Sequence, residues 1–329
     1  MKILRRILLG FGLLIILGVG WIVSQMRTDS DPGVYRSLDS QTPARKPGSL
    51  AVTFLGVSSL LMNDGETAIL TDGFFTRPNI REIFLGKIAP DKALINKSLK
   101  HAAIDRLAAV IVNHSHYDHA MDAPEVALQT SAILVGSEST ANVGRGWGLP
   151  EDRIWERQPG DTMDFGRFHV TLLQSGHLPS GYPTGEISTP IVPPVRANAY
   201  LMGTNYAVLV EHNGKTLLIN ASAGFKPGAL AGRHVDVVFL GIGGLGKRDT
   251  VYMEAYWHEV VEATGARRVV PIHWDNLYLP LDEPLKPIPH LMDDFDVTMR
   301  FLLAKGATQG VDVRLPQAWQ AVELFPRAP

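Results

Sequence analysis

Val110-Ile111-Val112-Asn113-His114-Ser115-His116-Tyr117-Asp118-His119 decides how the rest of the chain is read. Its first three residues are β-branched and apolar, the mark of a buried strand, and four side chains able to ligate a metal follow within six residues. A loop leaving a strand end is where a rigid scaffold presents functional groups. If the backbone stays extended through His114-Ser115-His116, the two-residue period of a strand turns both imidazoles to one side, close enough to share an ion. A turn there would bring Asp118 and His119 round to a neighbouring site. A lone loop histidine is usually held by ordinary hydrogen bonds. Several imidazoles and a carboxylate buried together cost free energy unless something compensates, and a divalent cation does so.

Composition narrows the chemistry. The 329 residues include no cysteine, so disulfide scaffolds, thiol nucleophiles, iron–sulfur clusters and cysteine zinc sites are excluded, and any metal must be held by His, Asp or Glu. A content of 45% hydrophobic and 19% charged residues is that of a folded globular chain. Lys and Arg number 31 against 33 Asp and Glu, which leaves no basic surplus for a nucleic-acid partner.

The amino-terminal region reads differently. Lys2, Arg5 and Arg6 precede a charge-free run from Ile7 to Val23, interrupted only by Gly10, Gly12, Gly18 and Gly20. Residues 1–26 are expected to form an uncleaved signal anchor or transmembrane helix, because no small-x-small cleavage site follows the run. The positive residues on its amino side would then place the folded domain outside the cytoplasm, in the periplasm. Residues 27–49, rich in Pro, Gly and Asp, are expected to be a linker, and residues 50–329 one folded domain.

Within that domain short β-rich runs recur at 52–55, 59–62, 68–70, 110–112, 133–135, 169–173, 207–210, 216–219, 235–240 and 269–272. Helical periodicity is expected at 100–107, 123–128, 251–263 and 291–303. Hairpin-like strands followed by strands alternating with helices predict an α/β (α+β) fold of mixed sheets covered by helices.

The H-x-H-x-D-H motif resembles the signature of the metallo-β-lactamase superfamily. Val52-Thr53-Phe54-Leu55-Gly56 and Ile69-Leu70-Thr71-Asp72-Gly73 look like the first hairpin of the branch containing L-ascorbate-6-phosphate lactonase and N-acyl-phosphatidylethanolamine phospholipase D. The family's later histidines are matched by His177 in Gln174-Ser175-Gly176-His177 and by His273 in Pro271-Ile272-His273-Trp274-Asp275. The resemblance implies a four-layer αββα sandwich of two mixed sheets. It also implies His114, His116 and His177 on a first metal and Asp118, His119 and His273 on a second. One position departs from the pattern: Ser222 stands where the family places an aspartate bridging both ions. A hydroxyl is a weaker ligand than a carboxylate, so the second ion is expected to bind more weakly, with one or two ions held.

Such a centre implies a metal-dependent hydrolase in which a metal-bound hydroxide cleaves an ester, lactone or phosphodiester bond, with Asp118 as the catalytic residue that orients water or moves a proton. Histidine-rich ligation without sulfur suits zinc best, with manganese or iron as alternatives. The competing expectations are a non-catalytic metal-binding relative and an iron-dependent redox member of the superfamily. The phospholipase-like resemblance and the expected tether point to a small-molecule or lipid-like ester as substrate. The Gly- and Pro-rich stretch after His177 is expected to line the pocket, with Tyr182, Arg196 and Tyr200 as candidate substrate contacts.

Gly241-Ile242-Gly243-Gly244-Leu245-Gly246-Lys247-Arg248 satisfies G-x-G-x-x-G and nearly a phosphate-binding loop. Arg248 stands where that loop needs a hydroxyl, so a tight loop beside the metals is expected instead of a nucleotide site. The acids Asp282, Glu283, Asp293, Asp294 and Asp296 are expected to be solvated, and His258 and His290 to be ordinary surface residues.

Overall fold

Alternation along the first strands sets the layering. Val52, Phe54, Leu60, Met62, Ile69, Ala109, Ile111 and Val135 all enter one core, whereas their neighbours Leu61, Leu70, Val110, Val112 and Leu134 enter another. A strand presents successive side chains to opposite faces, so these residues make a sheet buried on both sides. The computed structural model describes residues 2–26, 30–38, 49–179 and 181–325.

The first sheet contains β1 (Ala51–Phe54), β2 (Leu60–Asn63), β3 (Ala68–Thr71), β4 (Ala109–Ile111), β5 (Ile133–Gly136) and β6 (Ile154–Glu156). The second contains β7 (Thr162–Phe165), β8 (Phe168–Gln174), β9 (Tyr206–His212), β10 (Lys215–Asn220), β11 (Val237–Gly241), β12 (Arg268–Ile272) and β13 (Asp312–Val313). A last strand, β14 (Ala321–Glu323), returns to the first sheet and pairs antiparallel with β1. Spatial orders are β14-β1-β2-β3-β4-β5-β6 and β13-β12-β11-β10-β9-β8-β7. Each sheet joins an antiparallel part to a parallel part, with the change at β3 and at β10. The expectation of two mixed sheets is met.

The helices, in chain order, are α1 (Lys2–Gln25), α2 (Ile80–Leu85), α3 (Lys92–His101), α4 (Tyr117–Ala120), α5 (Ala123–Thr130), α6 (Glu138–Trp147), α7 (Thr250–Trp257) and α8 (Phe295–Gln309). Ile95 and Leu99 of α3, Val126 and Ala127 of α5, and Ala141 and Val143 of α6 cover the outer face of the first sheet. Tyr256 and Trp257 of α7 with Phe295, Met299 and Leu302 of α8 join the core of the second. The result is four layers, helix, sheet, sheet, helix. Each fully buried aliphatic or aromatic side chain in them contributes roughly 1.5–3 kcal/mol.

Three expectations need correction. Residues Lys2–Gln25 are helical, but among the described residues no helix is long and apolar enough to cross a membrane. The transmembrane anchor, and the periplasmic placement that followed from it, are therefore not supported. The charge-free run from Ile7 to Val23 rises only about 26 Å against a hydrocarbon core of about 30 Å, and four glycines interrupt it. Its carboxyl end is tied to the domain, where Leu291 N–H donates to Gln25 O at 2.8 Å. Within the expected linker, Pro32–Leu38 forms a 3₁₀ helix docked on α8, where Ser30 and Tyr35 both donate to the Asp296 carboxylate; residues 27–29 and 39–48 lie outside the described residues. The helix expected at 100–107 lies earlier, because Asp91 caps the backbone amides of Ala93 and Leu94 and starts α3 there.

The site is positioned by strand ends. In α/β sheets ligands gather beyond the carboxyl ends of the strands. The segments leaving β4, β8, β10, β11 and β12 carry His114, His177, Ser222, Gly243 and His273 in turn.

Candidate metal centre

Asn113 anchors the histidine motif between the two sheets. Its backbone N–H and side-chain amide both donate to Asp72, and its carbonyl accepts from Tyr206 N–H. Ser115 N–H donates to Met202 O on the opposite side, so the chain runs extended through the motif. His114 and His116 then face one way, as the two-residue period predicts, with His114 Nε2 3.1 Å from His116 Nδ1. The short helix α4 starts at Tyr117 and turns Asp118 and His119 to the adjacent position.

His177 arrives from β8 across a close approach of two loops. A Cβ on Gly224 would lie 2.3 Å from the His177 carbonyl carbon, so only glycine lets the strands' trailing segments meet. Ser222 Oγ accepts from Leu178 N–H at 3.0 Å and so fixes the residue after the histidine.

His273 is held by the β1–β2 turn. Its N–H donates to Val57 O at 2.7 Å, and Val57 N–H donates to Asp275 Oδ1 at 2.8 Å. Asp275 is also ion-paired with Arg77, both buried. His273 itself has φ of 58°, a left-handed backbone that surrounding bonds must maintain.

Two groups of three ligand-capable side chains result: His114, His116 and His177, and beside them Asp118, His119 and His273, each group with its ligand atoms within 4.8 Å of one another. Asp118 Oδ2 lies 3.3 Å from His273 Nε2 and 3.5 Å from His119 Nε2. The structure thus brings together the residues that the resemblance groups on each ion.

Hydrogen bonds at the far side of three rings bear on whether a metal fits. His116 Nε2 is 2.9 Å from Pro183 O, His177 Nδ1 is 2.8 Å from Leu178 O, and His119 Nδ1 is 2.9 Å from Asp72 Oδ2. Each of those nitrogens must donate to its oxygen, which leaves the cluster-facing nitrogen as a lone-pair donor. His119 Nε2 is buried and has no hydrogen-bond partner. Two imidazole nitrogens on one tetrahedral ion stand about 3.3–3.4 Å apart, close to the His114–His116 spacing. The residues present fit a divalent metal.

Electrostatics agree. Burial holds the His114 imidazole well below its ordinary pKa, and His119 and His116 push the same way. Burial also lowers His116, and lowers His177 to about 4. These rings are therefore neutral, as ligands must be. Burial alone would raise Asp118, but His119 and His273 hold its carboxyl well below the usual range. For His119 burial opposes charging, yet Asp118 and Asp72 raise its pKa, so this corner favours a cation, whether proton or metal.

The pocket has two connected parts. A cavity of about 340 Å³ is lined by His116, Asp118, His177, Ser222 and His273 and also by Lys247 and Arg248. A second, of about 520 Å³, is lined by His116, Tyr117, Tyr182, Arg196 and Tyr200 among others. His116, Gly181, Tyr182 and Tyr278 border both. The three candidate substrate contacts thus line the pocket; Arg196 is exposed, whereas Tyr200 is 1% exposed and its hydroxyl lacks a partner.

Several participants escape sequence reasoning. Asp72, Ser58 and Asn113 brace His119 and the motif, and Tyr278 hydrogen-bonds with Tyr117 and Tyr182 beside Asp118. In the sequence Asp72 reads only as part of a hairpin. The glycine-rich loop lies beside the centre, where a Cβ on Gly243 would sit 2.8 Å from His273 Nδ1. It is no phosphate cradle, since Asp249 already caps α7 by accepting from Tyr252 N–H. His258 is exposed as expected and His290 half-buried, but Asp293 is buried, accepting from the amides of Gly246 and Asp294.

Residues 67–274 match the family model described as the beta-lactamase superfamily domain. A UPF0173 metal-dependent hydrolase of Heliobacterium modesticaldum is 25% identical over 262 residues, 79% of this chain and 96% of the relative. Among solved structures, the metallo-beta-lactamase fold protein YhfI from Bacillus subtilis aligns with a TM-score of 0.51 at 15% identity, covering 83% of this chain and 98% of that one. CmlA, a diiron beta-hydroxylase from Streptomyces venezuelae, aligns with a TM-score of 0.51 at 12% identity over 85% of this chain and 55% of its own.

Proposed function

The chain belongs to the beta-lactamase superfamily, and from this premise we propose that it is a metal-dependent hydrolase that cleaves an ester, lactone or phosphodiester bond of a small molecule. The observation that carries the reading is the convergence of His114, His116 and His177 with Asp118, His119 and His273 at the wall of one cavity. The relative named a metal-dependent hydrolase supports it. The first three residues would hold one ion and the second three another, zinc being the best match to imidazole and carboxylate donors, with manganese and iron next. Such an ion lowers the pKa of a bound water and polarises a substrate oxygen.

The remaining chemistry belongs to the chain. Asp118 is kept ionised between His119 and His273 and lines the cavity, so besides holding an ion its carboxylate would accept a hydrogen bond from the attacking water and orient it. Tyr182 and Tyr278 border both cavities and orient the substrate across the centre. Ser222 stands at the bridging position and supplies no charge there, so the second ion binds more weakly than the first.

The test is elemental analysis of protein expressed with zinc, manganese or iron, followed by a panel of activated esters, lactones and phosphodiesters. Tightly held metal with turnover abolished by Asp118→Ala is expected. Protein without metal would overturn the reading; metal without turnover would favour a binding role.

A further inference from the structure

The centre described above leaves one wall of its cavity unexplained. Lys247 and Arg248 line the cavity of about 340 Å³ together with Asp118, His177 and His273. Among the described residues neither cation lies within ion-pair distance of a carboxylate. The Lys247 ammonium lies 3.4 Å from His290 Nε2. Arg248 donates through one Nη to Pro179 O, while its Nε is buried without a partner. A chain of net charge −2 has acids enough to pair its basic groups, and here it does not.

The two cations stand on a fixed element. Gly243 packs against His273, Gly246 N–H donates to the buried Asp293, and a 3₁₀ turn spans Leu245–Lys247. The Arg248 guanidinium lies 5.9 Å from the centre of the Tyr252 ring, and Asp249 ends the loop by capping α7. Leu277, Ile288 and Met292 also line the cavity, so water is partly replaced by apolar surface and charge–charge attraction is strengthened. A donor fork and an ammonium side by side match the oxygens of a carboxylate or phosphate.

We propose that Lys247 and Arg248 form an anion-binding subsite and that the substrate carries a carboxylate or phosphate group beside the bond that is cleaved. The subsite stands on the loop's own geometry; its role in choosing substrate rests on the hydrolase reading. The anionic group is held against the glycine-rich loop, the reacting bond lies over Asp118 and the histidines, and the remainder of the substrate extends past Tyr182 and Tyr278 into the larger cavity. The glycine motif, which resembles a nucleotide loop in sequence, thereby serves oxyanion recognition by side chains instead of by backbone amides.

The experiment is calorimetric titration of the full-length, metal-loaded protein with inorganic phosphate and with succinate. The Lys247→Ala/Arg248→Ala double variant and the exposed single change Lys247→Glu are compared with the parent, with metal content checked in each. A Kd weakened about tenfold or more by either variant at unchanged metal content is expected for at least one anion, and the tighter of the two identifies the source of the oxyanion. No binding to the parent, or equal Kd in all proteins, overturns the subsite. With p-nitrophenyl acetate and p-nitrophenyl hemisuccinate as matched neutral and anionic esters, the ratio of kcat/KM should favour the anionic ester in the parent and fall about tenfold in the double variant. A ratio that the variant leaves unmoved overturns the role in substrate choice. Absence of turnover for both esters, with anion binding intact, would count against the hydrolase reading and leave the subsite standing.

Discussion

Asp72 shows how a residue without a signature sequence of its own can govern the centre. Its carboxylate accepts from Ser58 Oγ, from Asn113 and from His119 Nδ1, which fixes the His119 ring and leaves Nε2 toward Asp118. Partners of this kind typically change metal affinity by about 10- to 100-fold. Asp72→Asn is therefore expected to weaken the second ion by about that factor while leaving the first in place, read by metal titration. Ser222→Asp should act in the opposite sense, raising affinity for the second ion, since a carboxylate would add negative charge at the bridging position; unchanged affinity would show that Ser222 does not stand there. The four ligands at 114–119 were legible because they lie within six residues at strand spacing. His177 and His273 were legible only through the family resemblance, and Asp72 and Tyr278 were not, because their proximity to the centre depends on how separate strands and loops pack.

At the level of elements, the centre depends on turns that strands hold in place. The β1–β2 turn fixes His273 through Val57, and the Arg77–Asp275 pair fixes that turn. Breaking one member of a buried pair typically costs about 3–5 kcal/mol because the other charge is left alone. Arg77→Leu should lower unfolding free energy by that order in denaturant titration and should also loosen the second ion. Gly243→Ala tests a separate contact: its Cβ would meet His273 O at 2.6 Å, so metal binding should suffer more than stability. The strands at 52–55, 110–112 and 269–272 were readable to within a residue or so, because burial on both faces makes them runs rich in β-branched and apolar residues. Helix α6 was not: Gly144 and Gly146 lower its intrinsic propensity, and they are there because Leu134 and the Ile191 backbone lie against them. By hydropathy alone the run Ile7 to Val23 reads as a membrane span, but among the described residues no helix is long and apolar enough to cross one.

For the whole molecule, the six candidate ligands come from the ends of β4, β8 and β12 in both sheets, so a bound metal would staple the halves together. Saturation at 1,000 times Kd stabilises by about 4 kcal/mol, and a chelator should lower the Tm accordingly; a Tm indifferent to chelation would mean that no such staple exists. Stability should also depend on pH through Asp122. Burial pushes this carboxyl up to about 6, against the amides and hydroxyl of Phe75 and Thr76 that it accepts from. A folded pKa above the unfolded one means that its contribution is complete below about pH 4 and is lost as pH rises through about 6. The stability difference between the parent and Asp122→Asn should shift by about 3 kcal/mol across that window. The order of the first sheet adds a consequence for biosynthesis. Since β14 is the neighbour of β1, the chain through Glu323 must leave the ribosome before β1 gains its second partner. Until then the free side of β1 is an unguarded template for other nascent chains, and chaperone dependence during translation should exceed that of refolding from dilute denaturant.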